Sequence, residues 1–179
     1  MPLSSNKLSE KEQDKLFCMN ARKYGLSKLL LKAVAITESS LDERAFRHEP
    51  NFWDRYLRNN PEWMDKDKAE VSSSYGLMQL MYVVAWEMGF RGIGEDLYNP
   101  VINVELGAKL IRHHLNRMFE SGVAKKNWHL RPIDVAISRY NGGPGGNPNK
   151  RGVLRNQKYV DKVRRTWDVL IGREKDCGE

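Results

Sequence analysis

Residues 35–40 read Ala-Ile-Thr-Glu-Ser-Ser, and they close a segment that is apolar on almost every side. The segment follows Ser27, a residue type that caps helix N-termini, so the pattern predicts a helix. A helix that is apolar all round is buried in a protein core. Glu38 therefore lies at the C-terminal end of a predicted buried helix. Burial and the negative end of the helix dipole both raise the pKa of a carboxyl group at that position.

The rest of the chain also predicts helices, with no convincing strand pairs. The start signals include a capping box at residues 9–12 and an Asn99-Pro100 pair. Tyr159 falls on the apolar side of the last predicted helix. Glycine and proline make residues 142–152 a loop. The apolar patterns predict helices over about residues 9–25, 27–38, 74–88, 100–121, 132–141 and 156–171.

Residues 43–72 differ in character, since they combine charges and aromatic rings with breaks at Pro50 and Pro61. We expect short helical pieces here, as an insertion that forms a wall or lid within one domain spanning residues 1–179. Trp53 and Trp63 belong to this insertion. Each either stacks on a ligand in a groove or lies in the core.

Composition limits the function classes. The net charge of +7 favours an anionic polymer as partner but does not choose between nucleic acid, anionic lipid and a bacterial wall. No apolar run approaches the roughly 18 residues that a membrane span needs. Cys18 and Cys177 lie near opposite ends of the chain and are read as free thiols. The four histidines have no metal-ligand spacing, so we expect no metal and no cofactor.

Two further short stretches follow Glu38. Residues 76–79 read Gly-Leu-Met-Gln, and residues 139–143 read Arg-Tyr-Asn-Gly-Gly. Taken alone, the first stretch could simply be a point where helices pack closely. The second could be an ordinary helix end. A carboxylic acid that stays protonated near neutral pH can protonate the leaving oxygen of a glycosidic bond. Most glycosidases add a second carboxylate. The nearest candidates in the sequence are Asp42, Glu43 and Glu49.

In this order the three stretches resemble the signature of lytic transglycosylases of the soluble, goose-type-lysozyme-like superfamily. Neighbouring residues extend the resemblance: Leu80-Met81, the Asp-Leu-Tyr-Asn-Pro of residues 96–100, Asn103, and the Leu-Gly-Ala of residues 106–108. It covers about residues 28–145. It implies a mostly α, lysozyme-like globular domain of about six to nine helices with a substrate groove.

The resemblance also implies an activity. The enzyme would cleave the β-1,4 bond between N-acetylmuramic acid and N-acetylglucosamine in peptidoglycan and give 1,6-anhydro-muramic acid products. Glu38 would be the sole general acid and then the base, and Tyr140 would hydrogen-bond near it and orient it. The substrate-binding residues implied are Ser39 and Gln79 for sugar, acetamido or peptide groups, Tyr75 and Met78 as groove lining, and Asn141 at the turn.

The chain departs from this family at several points. Arg139 replaces the usual small residue, and it would place a cation near the site or on its rim. The spacing between Glu38 and residue 76 is long, because the insertion lies between them. If Glu49 faces Glu38, it could activate a water, and the enzyme would be a hydrolytic muramidase. Otherwise Glu49 forms a salt bridge, with Arg47 or Arg55.

The expected partner is the peptidoglycan glycan strand, with no nucleic acid, no stable membrane insertion and a monomeric protein. An inactive wall-binding module is the alternative of another class, although binding alone needs no acid. We expect action on the bacterial wall, in the periplasm or outside the cell. The first residues lack the apolar core of a secretory signal, which favours a phage-encoded lysis enzyme. The alternative is a bacterial enzyme whose signal was removed.

Overall fold

A computed structural model describes residues 7–120 and 129–177. The protein is 61% helical, which confirms the mostly α fold class. Helical turns of other types cover Trp53–Leu57, Gly94–Tyr98 and Gly143–Gly146. Within the described ranges the α-helices are α1 (Glu10–Tyr24), α2 (Lys28–Ser39), α3 (Pro50–Phe52), α4 (Lys68–Val71), α5 (Tyr82–Glu87), α6 (Pro100–Glu120), α7 (Pro132–Gly142) and α8 (Gln157–Ile171).

The predicted helix ends are largely confirmed. Ser9 caps α1 through the predicted capping box, and Gly25 ends the helix with a left-handed φ of 60°. Ser27 caps α2 by accepting a hydrogen bond from the backbone N–H of Leu30 at 3.2 Å. The predicted end of the long helix at Ser121 lies outside the described residues. The capping residues alone therefore predict where α1 begins and ends and where α2 begins.

The expectation of no strand pairs is wrong. Three short strands, β1 (Phe46–His48), β2 (Ser73–Tyr75) and β3 (Leu80–Met81), form an antiparallel sheet in the order β1-β2-β3. The segment read as one helix over residues 74–88 supplies β2 and β3 before α5 begins. Strands of two or three residues are too short to show an alternating pattern. Because β1 belongs to the insertion, the sheet joins the insertion to the Gly-Leu-Met-Gln stretch.

Buried side chains form two apolar clusters. One cluster joins α1, α2, α6, α7 and α8, and the other joins the insertion to β2, β3, α5 and α6. Trp53 and Trp63 belong to the second cluster and are 7% and 5% exposed. The core alternative is therefore correct for both tryptophans. The Trp63 ring packs in T-shaped geometry against the rings of Tyr82 and Trp86.

The reading of the two cysteines as free thiols is also wrong. Cys18 in α1 and Cys177 form a disulfide, with their Cα atoms 5.6 Å apart. Polar contacts hold the same C-terminal segment. Glu174 pairs with the buried Lys32 at 2.8 Å, and the Asp176 carboxylate accepts from the backbone N–H of Lys28 at 2.9 Å. A separation of 159 residues leaves no spacing signal, so the pairing follows only from the fold.

Asn103 fixes the turn between β2 and β3. It is fully buried in α6. Its side-chain oxygen accepts from the Met78 N–H, and its amide donates to the carbonyls of Tyr75 and Leu97, each at 2.8 Å. Gly76 has φ +72°, and a Cβ there would lie 2.6 Å from the Asn103 side-chain nitrogen. The turn therefore requires both the amide of Asn103 and a glycine at position 76.

We expect Asn103→Ala to lower the free energy of unfolding by at least about 2 kcal/mol, because it leaves buried backbone groups without partners. Urea denaturation measures the loss. Asn20→Ala is the matched control, since Asn20 is equally buried but donates only to the Leu16 carbonyl of its own helix. A loss no larger than that of the control would contradict this role of Asn103.

Candidate active site

Glu38 is the penultimate residue of α2, and its carboxyl group is partly buried. Its Oε1 accepts a hydrogen bond from the Tyr159 hydroxyl at 2.5 Å. Burial raises the pKa of the Glu38 carboxyl above its usual value. The Tyr159 hydrogen bond and the charges of Arg47 and Lys162 oppose that rise. The site therefore favours a carboxyl group that still carries its proton where an exposed glutamate has lost it.

Sequence reasoning missed Tyr159 as a site residue. It lies in the first turn of α8, and its pKa is raised well above the usual value by burial and by the charge of Glu38. Tyr159 therefore stays protonated and acts as a donor. A tyrosine on the apolar face of a helix looks like a core residue. Its partner is 121 positions away, and only the packing of α8 on α2 brings the two together.

Tyr140 lies beside Glu38 but hydrogen-bonds elsewhere. Its hydroxyl donates to the Met78 carbonyl at 2.7 Å. Burial raises the pKa of Tyr140 well above its usual value, and the Glu38 charge adds to the rise. The structure thus brings Tyr140, Glu38 and the turn together, with the Tyr140 hydroxyl holding the turn.

The polar side chains of Ser39 and Gln79 also form hydrogen bonds with backbone carbonyls. The Ser39 hydroxyl lies 2.7 Å from the Leu77 carbonyl, which ties the end of α2 to the turn. The Gln79 amide donates to the carbonyls of Ala45 at 3.0 Å and Gly76 at 3.1 Å. These contacts leave the side-chain oxygen of Gln79 as the group that can accept from a ligand.

Backbone strain concentrates at this site. Among the described residues, the non-glycine residues with positive φ are Ser40, Leu41 and Gln79, at 56°, 63° and 45°. Two of them follow the end of α2, and the third ends the turn that Ser39 contacts. Sparsely populated backbone conformations cost about 1–3 kcal/mol each and cluster at functional sites. The strain therefore marks the same region as Glu38.

Two expected groove residues need correction. Met78 is fully buried and packs against Gly107, so its side chain does not line a groove. Tyr75 is 5% exposed, and its hydroxyl donates to the Glu70 carbonyl at 3.1 Å. Burial, with the Glu70 charge, raises the pKa of Tyr75 to about 12. Both side chains belong to the core, and Met78 serves the site through its backbone carbonyl.

Asn141 and Arg139 lie at the end of α7. Asn141 is exposed. Arg139 faces α6: burial and the charge of Arg117 lower its pKa. Together with burial, its charge lowers the pKa of His114 to about 4. The cation at position 139 therefore acts on α6 rather than on the Glu38 carboxyl.

Glu49 forms a salt bridge. Its carboxylate lies 2.7 Å from the Nε of Arg47. Of the two expected ion-pair partners, Arg47 is therefore the one used, while the Arg55 guanidinium lies over the Tyr56 ring, 5.8 Å from its centroid. Arg47 is also the residue of the insertion whose charge reaches Glu38.

Comparison with known proteins identifies the family. The model of the transglycosylase SLT domain matches residues 15–162, which include Glu38, the turn, Tyr140 and Tyr159. The chain belongs to this family. No curated protein matches the chain. The SLT domain supports peptidoglycan lytic transglycosylase activity in general and action on the cell wall, so the resemblance drawn from the motifs is confirmed.

In residues 7–120 and 129–177, helices that combine the length and the apolar character of a membrane span do not occur.

We expect Tyr159→Phe in this SLT domain to shift the pH dependence of wall lysis. The phenyl ring cannot donate to the carboxylate, so the pKa of Glu38 rises further and the loss of activity at alkaline pH moves to higher pH. The rate at the optimum falls on the order of 10- to 100-fold, because the carboxyl is no longer held. Turbidity loss of purified walls across pH measures both effects.

Tyr24→Phe is the matched control. The Tyr24 hydroxyl also donates to a glutamate, Glu105, at 3.3 Å, but on the face where α1 meets α6. That variant keeps both the rate and the pH profile. An alkaline limb that stays in place or moves to lower pH in Tyr159→Phe would contradict the role of the hydrogen bond.

Proposed function

We propose that this SLT domain cleaves the β-1,4 bond between N-acetylmuramic acid and N-acetylglucosamine, with Glu38 as general acid and then base. The products would end in 1,6-anhydro-muramic acid. The observation that carries the proposal is the partly buried Glu38 carboxyl, whose pKa is raised by burial and which one tyrosine hydroxyl holds at 2.5 Å. A group of this kind serves acid catalysis, whereas wall binding alone would not require it.

The proposed reaction uses one carboxyl group twice. Glu38 gives its proton to the glycosidic oxygen as the bond from that oxygen to C1 of the muramoyl residue breaks. The resulting Glu38 carboxylate takes the proton of the C6 hydroxyl of the same sugar. The C6 oxygen forms the new bond to C1, so no water is consumed. Glu38 is protonated again at the end, and the cycle is complete.

Tyr159 supports both halves of this cycle. It donates to one carboxyl oxygen, so the other remains available to face the sugar. Its hydrogen bond also stabilises the carboxylate that forms after the first proton transfer. Lys162 and Arg47 add positive charge to the same effect. Burial raises the pKa of Glu38, so the carboxyl group holds a proton for the substrate. The hydrogen bond and the two positive charges oppose that rise, so the carboxyl group can still release the proton.

The turn would provide the sugar contacts. The side-chain oxygen of Gln79 and the lone pairs of the Ser39 hydroxyl are the acceptors that remain for acetamido or hydroxyl groups. Asn141 is exposed at the end of α7, next to Tyr140, and can reach a ligand. Tyr140 would act as a positioning residue, because its hydroxyl holds the turn through the Met78 carbonyl.

The disulfide supports action outside the cytoplasm. Bonds such as Cys18–Cys177 persist in oxidising compartments, including the periplasm and the cell exterior. Peptidoglycan, the proposed substrate, also lies outside the cytoplasm.

A hydrolytic muramidase is the second candidate. The observation in its favour is the partly exposed Glu49 carboxylate, bonded to the arginine whose charge reaches Glu38. In that reaction Glu49 would activate a water, and the products would carry an ordinary reducing end.

Mass spectrometry of the muropeptides released from peptidoglycan tests the proposal. The wild type is expected to release anhydro products, each lighter by one water than the reducing-end form. We expect Glu38→Gln to lower release on the order of 100- to 10,000-fold, because the amide cannot supply the proton. Unchanged helical circular dichroism in that variant is the control for folding. Reducing-end products would favour the muramidase, and full activity of Glu38→Gln would contradict both reactions.

A further inference from the structure

We propose that Arg47 and Lys162 form a carboxylate-binding subsite beside Glu38 that recognises the peptide stem of the muramoyl residue. Glu49 occupies this subsite when substrate is absent. The inference rests on the proposed function, since it names the part of the peptidoglycan substrate that the same site binds. It assigns specificity to residues outside the three motifs that predict the reaction.

The backbone places β1 close to Glu38. The Ala45 carbonyl accepts from the Gly76 N–H at 2.8 Å, just before β1 begins. The same turn is bonded to Ser39, the residue after Glu38, through the Leu77 carbonyl at 2.7 Å. Arg47 follows Ala45 by two residues. Adjacent residues of the turn, Gly76 and Leu77, therefore contact the residue before β1 and the last residue of α2.

Strand geometry puts Arg47 on the face of β1 opposite to Phe46 and His48. Phe46 and His48 contact β2: the Phe46 ring lies 5.4 Å from that of Tyr75, and the His48 Nδ1 lies 3.1 Å from the Ser73 hydroxyl. Successive side chains of a strand point to opposite faces. Arg47, between them, points to the other face. Glu49 lies two residues further and meets Arg47 there.

Lys162 approaches the same carboxyl from α8. It lies one turn after Tyr159, and its ammonium donates to the carbonyl of Thr37, the residue before Glu38, at 3.2 Å. The charges of Arg47 and Lys162 both act on Glu38, as the pKa of its carboxyl reflects. Cations thus stand on β1 and on α8, with the Glu38 carboxyl and its tyrosine partner near both.

A substrate carboxylate can replace Glu49 as the partner of Arg47. A guanidinium has five N–H donors, and this ion pair engages its Nε. The Arg47 and Glu49 side chains are 55% and 37% exposed. An exposed ion pair of this kind contributes little to the stability of the fold. A carboxylate of the substrate can therefore replace Glu49 at little cost, or bind beside it.

The chemistry of the substrate identifies the anion. The sugar rings of a peptidoglycan strand bear hydroxyl and acetamido groups, which are neutral. The carboxylates are carried by the lactyl-linked peptides on the muramoyl residues. A pair of cations beside the scissile bond therefore matches the peptide stem, and the enzyme should prefer strands whose stems carry free carboxylates.

The test uses two synthetic substrates that differ only in charge. Each is a glycan of alternating N-acetylglucosamine and N-acetylmuramic acid whose lactyl groups carry L-alanyl-D-glutamate, as the free diacid or as the diamide. We expect the wild type to cleave the diacid with a kcat/KM about tenfold higher, the effect of a charge-assisted hydrogen bond. Arg47→Gln should bring the ratio close to one, and Glu49→Gln should raise it by freeing the guanidinium.

Arg55→Gln is the matched control, since Arg55 is an exposed arginine of the same insertion that lies over the Tyr56 ring. Its ratio stays at the wild-type value. Equal cleavage of diacid and diamide by the wild type would overturn the subsite. So would an equal fall on both substrates in Arg47→Gln, because Arg47 would then act only on the Glu38 charge.

Failure of the proposed function is distinguishable from failure of the subsite. If the wild type cleaves neither glycan, the reaction assignment fails. Calorimetry with N-acetylmuramoyl-L-alanyl-D-glutamate and its diamide then still tests the subsite. Tighter binding of the diacid that Arg47→Gln removes supports it, and equal binding of the two overturns it.

Discussion

The hydrogen bond between Tyr159 and Glu38 is the interaction on which the site depends. A carboxyl group at the end of an apolar helix must be protonated or compensated, because burial disfavours its charged form. The Tyr159 hydroxyl compensates it from α8 at 2.5 Å, and that distance exists only while α8 packs on α2. The segment after α8 supports this packing: Glu174 pairs with Lys32 of α2, and Cys177 is bonded to α1.

The site also depends on the turn at residues 76–79. Most polar contacts to this turn are hydrogen bonds between side chains and its backbone groups. Asn103 holds the turn from α6, Tyr140 from α7 and Ser39 from α2. Ser39 and Gln79, for which the resemblance implies sugar contacts, therefore also fix the shape of this turn. This explains why a short motif of apolar and small residues accompanies Glu38 in the sequence.

The sequence predicts what depends on neighbours in the chain and fails where distant elements meet. Capping residues at Ser9 and Ser27 act within one turn, so the starts of α1 and α2 are predicted correctly. The position of Glu38 near the C-terminal end of α2 is also predicted correctly. Tyr159, by contrast, gains its role from a residue 121 positions earlier. The disulfide joins residues 159 positions apart, and the sheet is made of strands too short to show a period. The expectation that the Met78 side chain lines a groove is wrong, because this motif residue is buried and contacts Tyr140 through its backbone carbonyl.

Titration of the Glu38 carboxyl tests the central claim most directly. NMR of the protein labelled with ¹³C in its glutamate carboxyl groups follows each resonance with pH, and the spectrum of Glu38→Gln assigns the Glu38 signal. We expect its pKa to lie above that of the exposed glutamates in the same spectrum, because burial outweighs the tyrosine and the two cations. A pKa at or below theirs would mean that the carboxyl has no proton to give near neutral pH, and would contradict its role as the acid.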